Sequence, residues 1–75
     1  MLELTPRIVM DDAVCFGKPI IKGTRLTVAF IVGELAGGAT IDELVETYRI
    51  AREDILDALA YAARVLNNEI IRQVK

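Results

Sequence analysis

The sequence predicts a mainly α fold: a three-helix, helix-turn-helix-like (homeodomain-like) bundle preceded by a short β-strand or ribbon. Three observations predict it. From residue 28 onwards, apolar residues recur at three- and four-residue steps. Residues that cap helices stand before these periodic segments, and the first 26 positions contain short β-branched segments separated by glycine and proline. With 75 residues, the chain is expected to be one domain, with the β element in 1–26 and the bundle in 27–75.

The N-terminal segment predicts a β-ribbon. Residues 7–10 (Arg-Ile-Val-Met) contain two β-branched residues and an apolar methionine, and Asp11 and Asp12 follow them as turn formers. A second short strand is expected at Ile20 and Ile21, between two glycine-containing turns. Because two strands alone are marginally stable in water, we expect the ribbon to pack on the helices or on another copy.

Two short helices are expected next. The first is predicted to begin after Thr27 as its N-cap and to end at Gly37 and Gly38. The second is predicted to begin after Thr40, because Thr40 and Glu43 have the spacing of a capping box. The two apolar faces consist of Val28, Ile31, Val32 and Leu35, and of Ile41, Leu44, Val45 and Tyr48.

A longer third helix is expected after a three-residue connection, 49–51. Glu53 and Asp54 place acids in its first turn, where the helix dipole favours negative charge. Its apolar seam, at steps of 4, 3, 4 and 4, consists of Ile55, Leu59, Ala62, Leu66 and Ile70. The apolar Ile71 and Val74 predict that the helix continues beyond this seam and packs on a partner.

The composition excludes several chemistries. The chain has no His and a single cysteine, Cys15. An intrachain disulfide, a Cys/His zinc site and imidazole-based catalysis are therefore excluded. The acids of the second helix (Asp42, Glu43 and Glu46) are better explained by capping and solvation than by metal binding. We expect no enzymatic activity and no cofactor.

The first residues carry neither the positive charge nor the continuous apolar stretch of a signal peptide. The longest charge-free apolar stretch near a helix, 26–33, is too short to span a bilayer. A lone thiol fits a reducing compartment. These features predict a soluble cytoplasmic protein without a membrane partner.

Charge is unevenly distributed along the chain. The net charge is −2, but residues 13–33 contain three cations and no acid, whereas residues 34–63 contain seven acids and two arginines. Nonspecific binding to phosphates requires a basic surface. Any contact with nucleic acid must therefore be local or use two copies.

The short second helix, three-residue connection and longer third helix have the spacing of a helix-turn-helix. In such a unit, Arg52 would lie near the N-terminus of the recognition helix as a candidate DNA contact. Acids at 53, 54 and 57 would repel phosphates on the same segment. Two interpretations stay open: insertion into the major groove, and a helical core that shares only the shape.

Residues 17–25, which read GKPIIKGTR, form what we call the cationic loop. Gly17, Pro19 and Gly23 are predicted to shape it. The sequence is not a phosphate-binding P-loop, because Gly23 is followed by Thr and Arg rather than by Lys and Ser or Thr. The loop is either a structural turn with solvated cations or a contact for an acidic surface, phosphate or protein. Its candidate contact residues are Lys18, Lys22, Thr24 and Arg25. Arg25 is the strongest candidate, because its planar guanidinium pairs with a carboxylate through two hydrogen bonds.

The segment 14–28 (VCFGKPIIKGTRLTV) resembles the signature of a short prokaryotic family, domain of unknown function 433, and segments 38–44 and 54–62 fit its continuation. The resemblance covers roughly residues 6–63. It implies a helix-turn-helix-like fold with a small β element, and an antitoxin that binds a nuclease toxin of PIN-type fold. The signature falls on Gly17, Pro19, Gly23, Thr24 and Arg25.

Two positions depart from the family pattern. Thr27 stands where the family usually has proline, and it is able to cap the first helix instead. Ala51 stands where Ser or Thr usually caps the third helix. A missing cap costs about 1 kcal/mol, so we expect a looser turn before the third helix.

Together with the composition, the resemblance implies a noncatalytic antitoxin-like protein that dimerises, neutralises a nuclease-like toxin and binds operator DNA. Arg25 or Lys22, inserted among the metal-binding carboxylates of such a toxin, would displace or neutralise the metal. DNA contact would use the cationic loops of two copies together with Arg52. The alternative is a protein-interaction or dimerisation module that binds no DNA, which the acidic third helix favours.

Overall fold

The computed structural model describes the backbone of residues 1–74 and the side chains of residues 1–68. Three short strands precede three helices, which confirms a mainly α fold with an N-terminal β element. The elements are β1 (Leu2–Glu3), β2 (Ile8–Met10), β3 (Ile20–Ile21), α1 (Val28–Ala36), α2 (Ile41–Tyr48) and α3 (Arg52–Val74). Strand β1 was not predicted. Within the described part of the chain, no helix has the length and apolar character needed to cross a membrane.

The strands form an antiparallel sheet in the order β1-β2-β3. Between β2 and β3, Ile8 pairs with Ile21 and Val9 with Ile20. All four side chains are buried, and Ile8 and Ile21 belong to the same apolar cluster as the helices. The sheet is therefore stabilised by packing against the helices of its own chain.

The predicted N-caps of α1 and α2 are both present. The Thr27 hydroxyl accepts a hydrogen bond from the Phe30 backbone N–H at 2.9 Å. Thr40 and Glu43 form a reciprocal capping box, with distances of 2.8 and 3.1 Å. Because the Glu43 carboxylate accepts from the Thr40 backbone N–H, and Thr40 also bonds through its side chain, the pKa of Glu43 lies below its ordinary value.

The start of α3 is held by acids within its first turns. Asp54 accepts a hydrogen bond from the backbone N–H of Ala51 at 2.9 Å, which is the half of a capping box that the acid contributes. The other half is missing, because Ala51 has no side-chain oxygen to accept from the N–H groups of the first turn. Asp54 also pairs with the Arg7 guanidinium at 2.8 Å, and Asp57 accepts from the Thr5 hydroxyl. These contacts connect the segment before β2 to α3.

The apolar core draws on the sheet and on all three helices. Its buried members are Ile8, Ile21, Val28, Ile31, Leu44, Ile50, Ile55 and Ala58. The predicted seam of α3 follows the core only in part, since Leu59 and Ala62 are half-buried and Leu66 is exposed. The side chains of Ile70, Ile71 and Val74 lie outside the described residues.

Candidate functional site

A left-handed turn leads into the cationic loop. Cys15, Phe16 and Gly17 form a single 3-10-type turn in which all three φ angles are positive, at 50°, 57° and 76°. The left-handed conformation costs a non-glycine residue about 1–2 kcal/mol. Glycine suits position 17 because its φ is 76°, and an added Cβ would also lie 3.1 Å from the Asp12 Oδ1 atom, a tight contact that the Asp12 side chain would have to relieve. Strain at two consecutive non-glycine residues marks this turn as a candidate functional element.

Phe16 lies in this turn with 98% of its surface exposed. Its side chain contributes nothing to the core, although burying a large aromatic ring is strongly favourable. Phe16 was not predicted as a site residue, because apolar character alone predicts burial and only the backbone conformation shows that the ring points outwards. The turn thus exposes an aromatic side chain next to the cationic loop.

A second turn shapes the far end of the loop. The Thr24 backbone N–H donates to the Ile21 carbonyl at 3.0 Å, and Gly23, the third residue of this turn, has a φ of 80°. The Thr24 hydroxyl donates to the Ile21 carbonyl and accepts from the Leu26 backbone N–H. Thr24 therefore holds the turn, so its hydroxyl is already engaged within the chain.

Two further bonds give the whole loop a defined shape. The Pro19 carbonyl accepts from the Val28 backbone N–H at 2.9 Å, which fixes the loop to the start of α1. The Cys15 thiol donates to the Arg25 carbonyl at 3.3 Å, which joins the left-handed turn to the end of the loop. Gly17, Pro19 and Gly23 thus lie in turns and contacts that shape the loop.

The predicted cations differ in their surroundings. Lys22 pairs with Glu3 at 3.2 Å and Arg52 lies 3.6 Å from Asp42, both on exposed surfaces where ion pairs are weak. Lys18 and Arg25 are also exposed. Among residues 1–68, no acid lies within ion-pair distance of either one. The positive charges of Lys18 and Arg25 are therefore available to a partner.

Arg52 lies far along α3 from the Lys18 end of the cationic loop. Lys18 and Pro19 border a groove lined on α3 by Tyr61, Ala62 and residues 65–66. Arg52 is the first residue of α3, and ten residues of helix, or about 15 Å, separate it from Ala62. The candidate site residues are therefore Phe16, Lys18 and Arg25 with the supporting turns. Lys18 borders the groove between α1 and α3, Arg25 borders a separate pocket beside Val9 and Asp11, and Arg52 borders neither.

Among the described residues, no group of three or more acids, cysteines or histidines is arranged to hold a metal ion. The site instead offers an aromatic ring, an ammonium and a guanidinium on a shaped backbone. This combination binds negatively charged groups and buries apolar surface, as aromatic and arginine anchors do in protein interfaces.

Comparison with known proteins identifies one family. A family model described as "Protein of unknown function (DUF433)" matches residues 8–62. No curated protein and no solved structure matches the chain. The matched region contains β2, the cationic loop, α1, α2 and the first half of α3.

Proposed function

The chain belongs to the DUF433 family, and we propose that it is a noncatalytic antitoxin-like protein that binds and neutralises a nuclease-like toxin. The family description assigns no activity, so the proposal depends on the candidate site. Its main support is the exposed, unpaired charge of Lys18 and Arg25 beside the exposed Phe16. The cationic loop is the part of this surface that would contact the toxin.

The chemistry of the site favours an acidic protein as the partner. Nucleases that use metal ions hold them with carboxylates, and a guanidinium can pair bidentately with a carboxylate. Arg25 placed among those carboxylates would compete with the metal by neutralising its ligands. Phe16 would supply the apolar anchor, because a buried aromatic ring contributes much of the affinity in many interfaces.

The shape of the loop favours affinity as well. Its backbone is held by the bonds from Cys15 to Arg25, from Thr24 to Ile21 and from Val28 to Pro19. A preorganised loop loses less conformational entropy on binding than a flexible one. The strain in the left-handed turn is then explained as the cost of holding Phe16 outwards.

An inhibition assay tests this function. The purified product of the adjacent gene is the probe, and its nuclease activity is measured with the wild-type chain and with Arg25→Ala and Arg25→Glu. We expect the alanine variant to inhibit less and the glutamate variant to inhibit least, because reversal adds repulsion from the toxin's carboxylates. Undiminished inhibition by both variants would remove Arg25 from the mechanism.

Operator DNA is a second candidate ligand. The eight-residue α2, a three-residue connection and α3 have the spacing of a helix-turn-helix, with Arg52 at the start of α3. Asp54 and Asp57 are engaged by Arg7 and Thr5, which reduces the negative charge that α3 presents. Asp42, Glu43 and Glu53 are exposed near the same end and would repel the phosphates of DNA. Binding of DNA by α3 is therefore less well supported than binding of an acidic protein by the cationic loop.

Mobility shift of an operator fragment across salt concentrations tests the DNA proposal. A DNA-binding protein loses affinity steeply as salt rises, with a slope set by the number of phosphate contacts. Arg52→Ala is expected to reduce that slope by about 1, the change expected when one phosphate contact is lost. Absence of a shift at low salt would leave the alternative, a protein-interaction module without DNA binding, and would not affect the toxin assay.

A further inference from the structure

The β-sheet buries apolar side chains on both of its faces. Ile8 and Ile21 belong to the core cluster that the sheet forms with the helices. Their neighbours Val9 and Ile20 are 1% and 3% exposed but lie outside that cluster. Because successive side chains of a strand point to opposite faces, Val9 and Ile20 lie on the face of the sheet away from the helices. This outer face is a second apolar region, separate from the core.

A pocket of about 470 Å³ lies on the outer face. Val9 and Ile20 line it, and Val14, from the connection between β2 and β3, adds another apolar side chain. It shares no lining residue with the groove between α1 and α3. Pockets for small ligands span about 300–1,000 Å³ and combine apolar walls with a few polar groups that fix the orientation of the ligand. The outer-face pocket has that size and that kind of wall.

Arg25 supplies the polar group. It borders the pocket and is exposed, and no acid among residues 1–68 lies within ion-pair distance of its guanidinium. Its backbone is fixed by the Cys15 thiol and by the turn that Thr24 holds. A guanidinium pairs with a carboxylate through two parallel hydrogen bonds. The pocket therefore combines an apolar floor with a cation that suits a carboxylate.

Asp11 also borders the pocket, and its charge has to be weighed against an anionic ligand. Its carboxylate accepts a hydrogen bond from the Ala13 backbone N–H at 3.0 Å. Ile21, where the turn before Arg25 begins, pairs with Ile8, which lies three positions from Asp11 along the chain, or about 10 Å in an extended strand. Charges that far apart on a surface are largely screened at physiological salt. Asp11 therefore opposes an anion at Arg25 only weakly.

We propose that the outer-face pocket binds a small free carboxylate with a compact apolar body. The apolar body packs over Val9 and Ile20, and the carboxylate pairs with Arg25. Burial of the apolar body contributes affinity, and the ion pair fixes the orientation. Small anions without an apolar body, such as acetate or inorganic phosphate, leave the apolar floor unused. The proposal does not rest on the proposed function, because it concerns this chain and a small ligand alone.

Titration of the isotope-labelled full chain with phenylacetate, followed through its amide resonances by NMR, tests the proposal. Phenylacetate is expected to shift the amides of Val9, Val14, Ile20 and Arg25 saturably. The Kd should be in the millimolar range, as expected for a ligand of about ten non-hydrogen atoms. 2-Phenylacetamide has nearly the same shape without the charge and should bind at least about fivefold more weakly. Acetate and inorganic phosphate should also bind at least about fivefold more weakly, because they bury no apolar surface.

Two variants divide the site into its parts. Arg25→Gln should raise the Kd of phenylacetate at least about fivefold and leave that of 2-phenylacetamide within about twofold. Lys18→Gln is the matched control, because Lys18 is also an exposed, unpaired cation of the cationic loop but borders the other groove. Val14→Phe should raise the Kd of both ligands by filling the pocket. Val65→Phe makes the same replacement outside it.

Three results would overturn the proposal. The first is the absence of saturable shifts at the pocket amides up to about 20 mM phenylacetate. The second is an equal Kd for phenylacetate and 2-phenylacetamide, or for the wild type and Arg25→Gln, because Arg25 would then not contact the ligand charge. The third is a set of shifts confined to the groove between α1 and α3. Arg25→Gln changes an exposed side chain, so the test stands even where Val14→Phe fails to fold.

Discussion

The thiol of Cys15 donates a hydrogen bond to the backbone carbonyl of Arg25 across 3.3 Å. This contact joins the left-handed turn to the end of the cationic loop, ten residues further along the chain. Phe16 follows Cys15 directly, so its backbone position is tied to that of Arg25. The backbone positions of Phe16 and Arg25 are therefore coupled, and the bond between Cys15 and Arg25 is part of the framework of the cationic loop.

Replacing Cys15 by alanine should loosen this framework. A thiol is a weak donor, so Cys15→Ala is expected to lower the free energy of unfolding by less than about 1 kcal/mol. Backbone amides of the left-handed turn, such as that of Lys18, should exchange up to about fivefold faster. Hydrogen exchange followed by NMR measures this, and unchanged exchange at the turn would show that the thiol contact is dispensable.

Replacing Phe16 by glycine should separate folding from binding. The ring of Phe16 is exposed, and the backbone φ of this residue is positive. Phe16→Gly therefore loses no core packing and relieves backbone strain. The free energy of unfolding should stay within about 1 kcal/mol of the wild type, since the entropic cost of glycine offsets part of the gain. Affinity for the toxin should fall at least about 30-fold, the range of an interface hot spot.

Urea denaturation and titration calorimetry measure the two effects. Leu56→Ala is the control, because it also removes an exposed apolar side chain but lies away from the loop. A large loss of stability in Phe16→Gly would mean that the ring packs within the chain. Unchanged affinity would mean that it is not an anchor.

Asp54 is expected to be the most sensitive acid of α3. Its carboxylate accepts from the Ala51 backbone N–H and pairs with Arg7, so Asp54→Ala should destabilise the fold by about 1–2 kcal/mol. Ala51→Ser should have the opposite effect, about 0.5–1 kcal/mol of stabilisation, by adding a capping hydroxyl. Thermal or urea unfolding measures whether the first variant is destabilised and the second stabilised. An Asp54→Ala variant as stable as the wild type would contradict the capping role.

The secondary structure could be predicted largely because its signals are local. Thr27, and Thr40 with Glu43, determine where two helices begin, and their caps are formed by neighbours three residues away. The missing cap at Ala51 was also visible in the sequence. The ion pair between Asp54 and Arg7, which lie 47 residues apart, was not visible, because it depends on tertiary packing.

The candidate site could be predicted only in part for the same reason. Gly17, Gly23 and the cations indicated a shaped, charged loop, and the structure has such a loop. Which cations face an acid of the same chain depends on long-range neighbours, such as Glu3 for Lys22. The exposure of Phe16 depends on the left-handed backbone at a non-glycine residue, which side-chain type does not predict.

The capping box of α2 should add a component to the pH dependence of stability. The pKa of Glu43 is lowered in the folded chain. The ionised carboxylate therefore contributes fully to the stability of the fold when the pH is above the pKa of Glu43 in the unfolded chain. That contribution is lost as the pH falls through the lowered, folded-state pKa. Glu43→Gln should therefore show a flatter loss of stability in the acidic range, measured by urea unfolding at a series of pH values. An identical pH profile in both proteins would contradict this assignment.

The most direct test of the proposed function is the affinity of the full chain for the nuclease-like product of its adjacent gene, measured by titration calorimetry. The double variant Lys18→Glu/Arg25→Glu should bind at least about 30-fold more weakly than the wild type. Arg52→Glu should bind within about threefold of the wild type, because Arg52 lies about 15 Å along α3 from the groove that Lys18 borders. Equal affinity of the double variant and the wild type, with both chains folded, would contradict the account.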